Sequence, residues 1–193
     1  MTTVVLASTS AYRRSLLERI LTGFSQAAPA VDESARPGEA PDALARRLAI
    51  AKARAVAADH PGRVVVGSDQ VAALGDRLLG KPGDHARARE QLAACSGRTV
   101  RFLTAVCVID ATGCEQVHLD TTAVRFRPLE ERQIESYLQR EQPYDCAGSF
   151  KCEGLGIVLF EHIDSRDPTA LVGLPLIALA RMLRDAGVDP LAG

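Results

Sequence analysis

The amino-acid sequence predicts a layered α/β fold in a single domain that spans residues 1–193. Short β-branched runs alternate with longer segments whose apolar residues recur at helical spacing, and the connections between them are short. A chain of 193 residues is long enough to bury a large core. No repeat, low-complexity tract or long linker divides the chain, so any second lobe must arise by insertion.

The first third of the chain alternates strands with helices. Val4 to Ala7 is an apolar run typical of a buried strand, and Ala11 to Leu21 has the apolar spacing of a helix with one buried face. Glu33 to Pro41 is polar and predicts a loop. We expect Asp42 to cap a helix that reaches about Asp59. Arg63 to Ser68 is rich in valine and predicts a strand.

The rest of the chain predicts two hairpins and three helices. Turn residues at Gly75-Asp76 and Thr112-Gly113 lie between alternating apolar runs, as in β-hairpins. The predicted elements are a hairpin at Val71 to Leu79, a helix at Asp84 to Ala94, strands at Thr99 to Ile109 and Glu115 to Phe126, and helices at Glu130 to Arg140 and Leu174 to Ala186.

The charge balance excludes broad attraction to nucleic acids or membranes. Lysine and arginine number 23 against 24 aspartates and glutamates, so the net charge is −1. Tryptophan is absent and only five Phe and three Tyr are present, which argues against the stacking platforms of single-strand binders. If the ligand is an anion, its positive partners must be gathered locally.

The cysteines indicate a reducing compartment. Five cysteines form no CxxC pair, and Cys114 with His118 has no second pair at metal-ligand spacing, so neither a disulfide framework nor a zinc site is indicated. The N-terminus has no basic region followed by an apolar stretch, and no run approaches the 18 or so apolar residues of a membrane span. We therefore expect a cytoplasmic protein.

A first candidate anion site follows the first strand, at Ser8-Thr9-Ser10 and Arg13-Arg14. A helix N-terminus carries about half a positive charge and exposed N–H groups, and Arg13 adds a planar fork suited to phosphate. Arginines in a first helical turn oppose the helix dipole unless an anion is bound. The alternative is a serine N-cap followed by surface arginines.

A second candidate site is Gly67-Ser68-Asp69-Gln70, at the predicted end of a buried strand. Ligands of open α/β sheets gather at the carboxyl ends of strands, where an acid can hold a metal or activate a nucleophile. Asp69 could equally be a turn residue that satisfies nearby N–H groups. Ser68 lacks the G-x-S-x-G context of a hydrolase nucleophile.

Three further segments contain residues that could contact a ligand. Gly75 to Pro82 imitates a phosphate loop but has proline where a hydroxyl is needed, so only Lys81 remains as a phosphate contact. Glu33 and Lys52 are each ordinary charges when considered alone. The glycine-rich stretch from Cys146 to Gly156 predicts either backbone close to a ligand or a bulged loop.

Taken together, these segments resemble the Maf-like nucleoside triphosphate pyrophosphatases over nearly the whole chain. The matching motifs, in the family's order, are Leu6 to Arg14, Val31 to Glu33, Ala51 to Ala53, Gly67 to Asp69, Gly80 to Pro82 and Val172 to Pro175. Gln70 and Ala147 to Gly154 resemble the branch that acts on 7-methyl-GTP. The resemblance implies a Maf/ITPase-like fold, with an elongated mixed central sheet and two lobes flanking a nucleotide-binding cleft.

The resemblance also implies the chemistry. A nucleoside triphosphate would be cut between its α and β phosphates to give a monophosphate and pyrophosphate, with a divalent metal such as Mg²⁺ or Mn²⁺, in a homodimer. By resemblance, Asp69 is the proton acceptor, Ser8, Arg13, Lys52 and Lys81 bind phosphate, Glu33 and Asp69 bind metal, and Tyr12, Gln70 and Glu153 select the substrate.

One departure from the branch affects the choice of substrate. The branch usually has Pro-Trp where this chain has Ala11-Tyr12, and tyrosine stacks on the positively charged 7-methylguanine ring less strongly than tryptophan does. Two alternatives stay open, the second because the resembling family is also associated with septum formation. One is a pyrophosphatase for dTTP, UTP or a broader set of modified nucleotides, and the other is a non-enzymatic regulator linked to septum formation.

Overall fold

A computed structural model describes residues 3–192. It contains a seven-stranded sheet. Six strands follow one another in the order β2-β1-β3-β5-β6-β7, and the seventh, β4, pairs with β3. The strands are β1 Val4–Ala7, β2 Phe24–Ala27, β3 Val64–Leu74, β4 Arg77–Leu79, β5 Thr99–Ile109, β6 Glu115–Phe126 and β7 Phe160–Asp164. The helices are α1 Ala11–Glu18, α2 Pro41–Asp59, α3 His85–Cys95, α4 Glu131–Glu141 and α5 Leu176–Asp185. Parallel and antiparallel pairs both occur, so the predicted mixed α/β class is confirmed.

The chain divides into two compact units. Unit 1 consists of Met1–Gln70, Thr104–Asp120 and Asp167–Gly193, and unit 2 consists of Val71–Leu103 and Thr121–Arg166. Strands β3, β5 and β6 each contribute residues to both units.

Unit 1 is built on parallel strands. β1 pairs in parallel with β2 on one side and with β3 on the other, in a register that matches Ala7 to Gly67. Its core contains apolar side chains from β1, α1, β3, β5 and α5, including Leu6, Leu17, Val66, Val106 and Leu179. Burial of these side chains fixes the ends of β1 and β3 relative to α1 and α5.

Unit 2 is antiparallel in the pairs β3–β4 and β6–β7. Its interior contains four phenylalanines, whose rings meet edge to face at centroid distances of 4.8 to 5.7 Å. These rings are Phe102, Phe126, Phe150 and Phe160. The aromatic residues that the sequence places far apart therefore share one core.

Several boundaries differ from the sequence predictions. β3 does not end at Ser68, because Val71 to Leu74 are buried and continue the same strand. α2 begins at Pro41, which suits a first helical position, so Asp42 lies in the first turn and is not the cap. α1 ends at Glu18, where bonds of 3₁₀ type tighten the chain. β2 and β7 are largely exposed and lack the apolar pattern that would predict them.

Within residues 3–192, no helix is both long and apolar enough to span a membrane.

Candidate active site

A buried ion pair lies where β3 passes the end of β1. Lys52 Nζ lies 2.7 Å from Asp69 Oδ1, and both residues are buried, with 4% and 6% of their surface exposed. The same Nζ lies 2.7 Å from Glu33 Oε1, whose side chain is 60% exposed. The structure therefore brings two of the carboxylates singled out in the sequence, Glu33 and Asp69, to the ammonium group of Lys52.

A glycine permits this contact. Gly67 faces α2 so closely that a Cβ there would lie 2.4 Å from the Ala49 carbonyl oxygen and 2.6 Å from the Ala53 nitrogen. Lys52 lies on α2 between these two alanines. Because only glycine lets the helix backbone approach the strand this closely, Gly67 sets the distance from Lys52 to Asp69.

Asp69 lies inside strand β3 but has no partner residue on β1, because β1 is short. The last β1–β3 pair is Ala7 with Gly67, so Asp69 lies two residues beyond the end of β1. The edge that the sequence predicted at the end of β3 is therefore formed by the end of β1. Asp69 is accordingly a strand residue, and the alternative of a turn residue is wrong.

The turn after β1 is organised by two serines. Ser8 is buried, and its hydroxyl accepts a hydrogen bond from the Ser10 N–H at 3.1 Å. Ser10 is the N-cap of α1, and its hydroxyl accepts from the Arg13 N–H at 3.4 Å. The first turn of α1 contains no acidic residue. This helix end can therefore attract an anion.

Arg13 is fixed by a loop that comes from the far end of the sequence. Its Nε donates to the Gly173 carbonyl oxygen at 3.0 Å, and the terminal NH₂ groups of the fork remain as donors for a phosphate. Burial lowers the pKa of the Arg13 guanidinium, whereas the negative charges of Asp69 and Glu33 oppose that effect. Arg14, by contrast, is exposed and pairs with Glu18 at 2.9 Å.

Burial raises the pKa of the Asp69 carboxyl above its ordinary value, and the negative charge of Glu33 adds to this effect. The positive charges of Lys52 and Arg13 oppose it. A carboxylate with a raised pKa is a better proton acceptor than an ordinary aspartate. Asp69 therefore has the environment that a general base requires.

The amide of Gln70 has a defined orientation. Its Nε2 lies 3.0 Å from Thr104 Oγ1, from the Ala170 carbonyl oxygen and from the Leu171 carbonyl oxygen, so its two N–H groups are shared among these three acceptors. The Thr104 hydroxyl donates in turn to the Ala170 carbonyl at 2.9 Å, so it can only accept from Gln70. The amide nitrogen is thus used inside unit 1, which leaves Gln70 Oε1 as a hydrogen-bond acceptor.

The other predicted residues occupy different settings. Tyr12 lies in the first turn of α1 and is 39% exposed. Lys81 and Glu153 belong to unit 2, and both are exposed. The thiol of Cys152 donates to Glu153 Oε2 at 3.0 Å. The roles assigned to these three residues by resemblance remain predictions.

Two further residues, Ser68 and Gly173, hold the backbone of the site together, which their sequence context does not predict. The Ser68 hydroxyl lies 2.8 Å from the Ala105 carbonyl and 3.0 Å from the Gly173 carbonyl, so it anchors backbone. Gly173 has a φ of 127°, which favours glycine, and its carbonyl is shared by Arg13 and Ser68. The glycine within Val172-Gly173-Leu174-Pro175 was the available signal, but its long-range contacts cannot be derived from spacing.

The carboxylates fit a divalent metal that is bound together with a phosphate ligand. Glu33 and Asp69 offer hard oxygen donors, and Lys52 uses one oxygen of each. Mg²⁺ is commonly held by one or two carboxylates plus substrate phosphates rather than by an all-protein cage. Residues 3–192 contain no cluster of three or more His, Cys, Asp or Glu side chains that could hold a metal.

Comparison with known proteins identifies the family. The model of the Maf-like protein family matches residues 3–186. A Xanthomonas axonopodis pv. citri protein named 7-methyl-GTP pyrophosphatase is 60% identical over 97% of this chain and 98% of its own length. A protein of the same name from Albidiferax ferrireducens is 58% identical over 97% of this chain and 95% of its own length.

Among solved structures, a nucleoside-triphosphatase / dITP/XTP pyrophosphatase from Mycobacterium abscessus is 18% identical, with a TM-score of 0.48 over 95% of this chain and 94% of that one. The family match covers almost the entire sequence. It includes Glu33, Lys52 and Asp69, and the turn from Ser8 to Arg13. The chain therefore belongs to the Maf-like family.

Proposed function

We propose that this protein hydrolyses the bond between the α and β phosphates of a nucleoside triphosphate, with 7-methyl-GTP as its preferred substrate. The products are the nucleoside monophosphate and pyrophosphate. The observation that carries the proposal is the buried Asp69–Lys52 pair beside Arg13 and Glu33. Relatives named 7-methyl-GTP pyrophosphatase, at 58 to 60% identity over nearly full length, support it.

The charges of unit 1 suit a triphosphate. Lys52 and Arg13 supply two cations, and the α1 N-terminus with Ser8 and Ser10 supplies neutral donors. In phosphoryl chemistry the protein contributes mainly positioning and charge stabilisation, and both are stronger in a partly buried site. Lys81, from unit 2, is proposed as a further phosphate contact on the strength of the resemblance.

In the proposed mechanism Asp69 accepts a proton from the attacking water. Its raised pKa makes it a competent base, while Lys52 keeps the carboxylate oriented through the 2.7 Å contact. Arg13 donates its terminal N–H groups to the phosphates. Glu33 and Asp69 would hold a divalent cation, which when bound supplies charge neutralisation to the triphosphate and lowers the pKa of water.

Base selection is proposed for Tyr12, Gln70 and Glu153. The 7-methylguanine ring carries a positive charge, so an aromatic face and a carboxylate suit it better than they suit neutral guanine. Gln70 offers an acceptor, because its amide nitrogen is used within unit 1. Guanine presents N–H donors, which match acceptors at Gln70 and Glu153.

A broader substrate range is the second candidate function. Tyr12 lies where the 7-methyl-GTP branch usually has tryptophan. Tyrosine stacks less strongly on the charged ring, which reduces the binding preference for the methylated base over other bases. The same reaction on dTTP, UTP or other modified nucleotides would then be retained. The proposal also includes a homodimer and a cytoplasmic location, the latter consistent with five cysteines that form no framework.

The experiment incubates the full chain with 7-methyl-GTP and Mg²⁺ or Mn²⁺ and measures pyrophosphate and 7-methyl-GMP. We expect Asp69→Asn to lower kcat about 1,000-fold, because the proton acceptor is lost, while nucleotide binding remains measurable. Asp76→Asn makes the same change in an exposed turn and serves as the control. Retained turnover in Asp69→Asn would exclude Asp69 as base or essential ligand, and no release from any nucleotide would exclude the enzyme.

A further inference from the structure

A buried carboxylate joins the two ends of the loop that precedes α5. Asp167 is 2% exposed, and its Oδ1 accepts from the Thr169 N–H at 2.9 Å and from the Thr169 hydroxyl at 2.6 Å. Its Oδ2 accepts from the Ile177 N–H at 2.7 Å. One side chain therefore ties the start of the loop to the first turn of the helix.

The Thr169 hydroxyl makes a second tie across the same loop. It accepts from the Leu176 N–H at 2.9 Å and lies 2.9 Å from the Leu174 carbonyl oxygen. The first N–H groups of a helix have no partner within the helix. Thr169 and Asp167 supply partners for the first two of them in α5, those of Leu176 and Ile177. The residue at the N-cap position, Pro175, makes no side-chain hydrogen bond.

Between these ties the loop presents its carbonyl groups to the candidate site. The Gly173 carbonyl accepts from Arg13 Nε at 3.0 Å and also lies 3.0 Å from the Ser68 hydroxyl. The carbonyls of Ala170 and Leu171 accept from Gln70 Nε2. The direction of the Arg13 fork therefore depends on where Gly173 is held.

We propose that Asp167 and Thr169 are positioning residues for phosphate binding, which act by holding the Gly173 carbonyl against Arg13. This inference rests on the proposed role of Arg13 as a phosphate ligand. An arginine loses less conformational freedom on binding when its fork is already oriented. Loosening the loop releases the Nε of Arg13 and weakens binding of the phosphates.

The test measures binding of inorganic tripolyphosphate, which lacks a base and so does not involve Gln70 in base recognition. Asp167→Asn places an NH₂ group against one of the N–H groups that donate a hydrogen bond to the carboxylate. Thr169→Val removes the hydroxyl and keeps nearly the same side-chain shape. We expect each to raise the Kd for tripolyphosphate about tenfold, whereas Thr169→Ser restores it to within twofold of the unmodified protein.

A second loop supplies matched controls. Asp110 Oδ1 accepts from the Thr112 N–H at 2.8 Å, from the Thr112 hydroxyl at 2.7 Å and from the Cys114 N–H at 2.9 Å. That turn joins β5 to β6 and contains none of the proposed site residues. Asp110→Asn and Thr112→Val remove the same kinds of contact, and we expect an unchanged Kd from both.

Coupling to Arg13 separates positioning from a general loss of structure. In an Arg13→Ala background, Thr169→Val should change the Kd by less than twofold, because its partner is already missing. All variants are compared below their melting temperatures. Equal effects with and without Arg13, an unchanged Kd in Thr169→Val, or no binding by the unmodified protein would each overturn the inference. Failure of the proposed function is a separate result, namely no pyrophosphate from any nucleotide.

Discussion

At the scale of single residues, the proposed chemistry depends on Asp69. It is almost completely buried and paired with Lys52, so its charge is stabilised by one strong partner rather than by water. Removing one member of a buried ion pair commonly costs about 3 to 5 kcal/mol, because the other charge is left without compensation. Asp69→Asn removes this charge but keeps the shape and an acceptor oxygen for Lys52, and Glu33 remains as a charged partner of Lys52.

Glu33 should tune the pKa of Asp69. Its negative charge is one cause of the raised pKa, so Glu33→Gln is expected to lower the pKa of the Asp69 carboxyl. The Asp69 carboxyl then loses its proton at a lower pH in the variant than in the unmodified protein. Carboxyl ¹³C NMR of the metal-free protein measures the shift.

Asp32→Asn is the control for this titration, because it removes the neighbouring charge, which is not among the causes of the Asp69 shift. An Asp69 pKa that stays constant or rises in Glu33→Gln would contradict the electrostatic coupling.

The carboxylate of Glu153 should contribute to substrate choice. Its negative charge favours the positively charged 7-methylguanine over neutral guanine, so Glu153→Gln is expected to lower the ratio of kcat/KM for 7-methyl-GTP to that for GTP several-fold. Glu161→Gln, another exposed glutamate of unit 2, is the control. An unchanged ratio in Glu153→Gln would refute its part in base selection.

At the scale of elements, the site depends on the contact between α2 and β3. Gly67→Ala would insert a methyl group 2.4 Å from the Ala49 carbonyl oxygen, so the helix must move. We expect the free energy of unfolding, measured by urea denaturation, to fall by about 2 kcal/mol. We also expect a lower kcat, because the displaced helix moves Lys52 away from Asp69.

Gly23→Ala adds the same methyl group in unit 1 where no atom lies within 4 Å, and it should change neither quantity by much. Unfolding of Gly67→Ala at the same urea concentration as the unmodified protein would show that α2 adapts without cost.

Most elements could be predicted from the sequence, because their periodicity is local. The strand β1, both hairpin turns and the strands Thr99–Ile109 and Glu115–Phe126 were predicted with the bounds that the structure shows or nearly so. The strand β2 escaped prediction, since it pairs with β1 while two of its four residues are exposed. Its formation depends on a neighbour that no local pattern reveals.

The candidate site was only partly predictable for the same reason. Residue type and order singled out Lys52 and Asp69, and the structure places them in contact. The bond from Arg13 to Gly173 joins positions 160 residues apart. β3 continues through Asp69 to Leu74, and its last three residues pair with β4, which lies beyond the turn at Gly75. Long-range pairings of this kind are fixed by tertiary packing, which spacing along the chain does not report.

At the scale of the whole molecule, a nearly neutral chain concentrates a few charges in one place. The net charge is −1, yet Lys52 and Arg13 lie with Asp69 and Glu33 in unit 1. The charges of these four groups cancel, so they suit a small anion that binds together with a divalent cation and give no broad attraction to polyanions. The Maf-like family model covers all four of these residues.

The most direct measurement is kcat/KM for pyrophosphate release from 7-methyl-GTP, GTP, dTTP and UTP, each with Mg²⁺ and with Mn²⁺. We predict the highest value for 7-methyl-GTP, about tenfold above GTP, because a cation–π contact and a carboxylate each favour the charged base by about 0.5 to 1 kcal/mol. A higher value for dTTP or UTP would contradict the preference for a methylated purine, and no release from any of the four would contradict the enzyme itself.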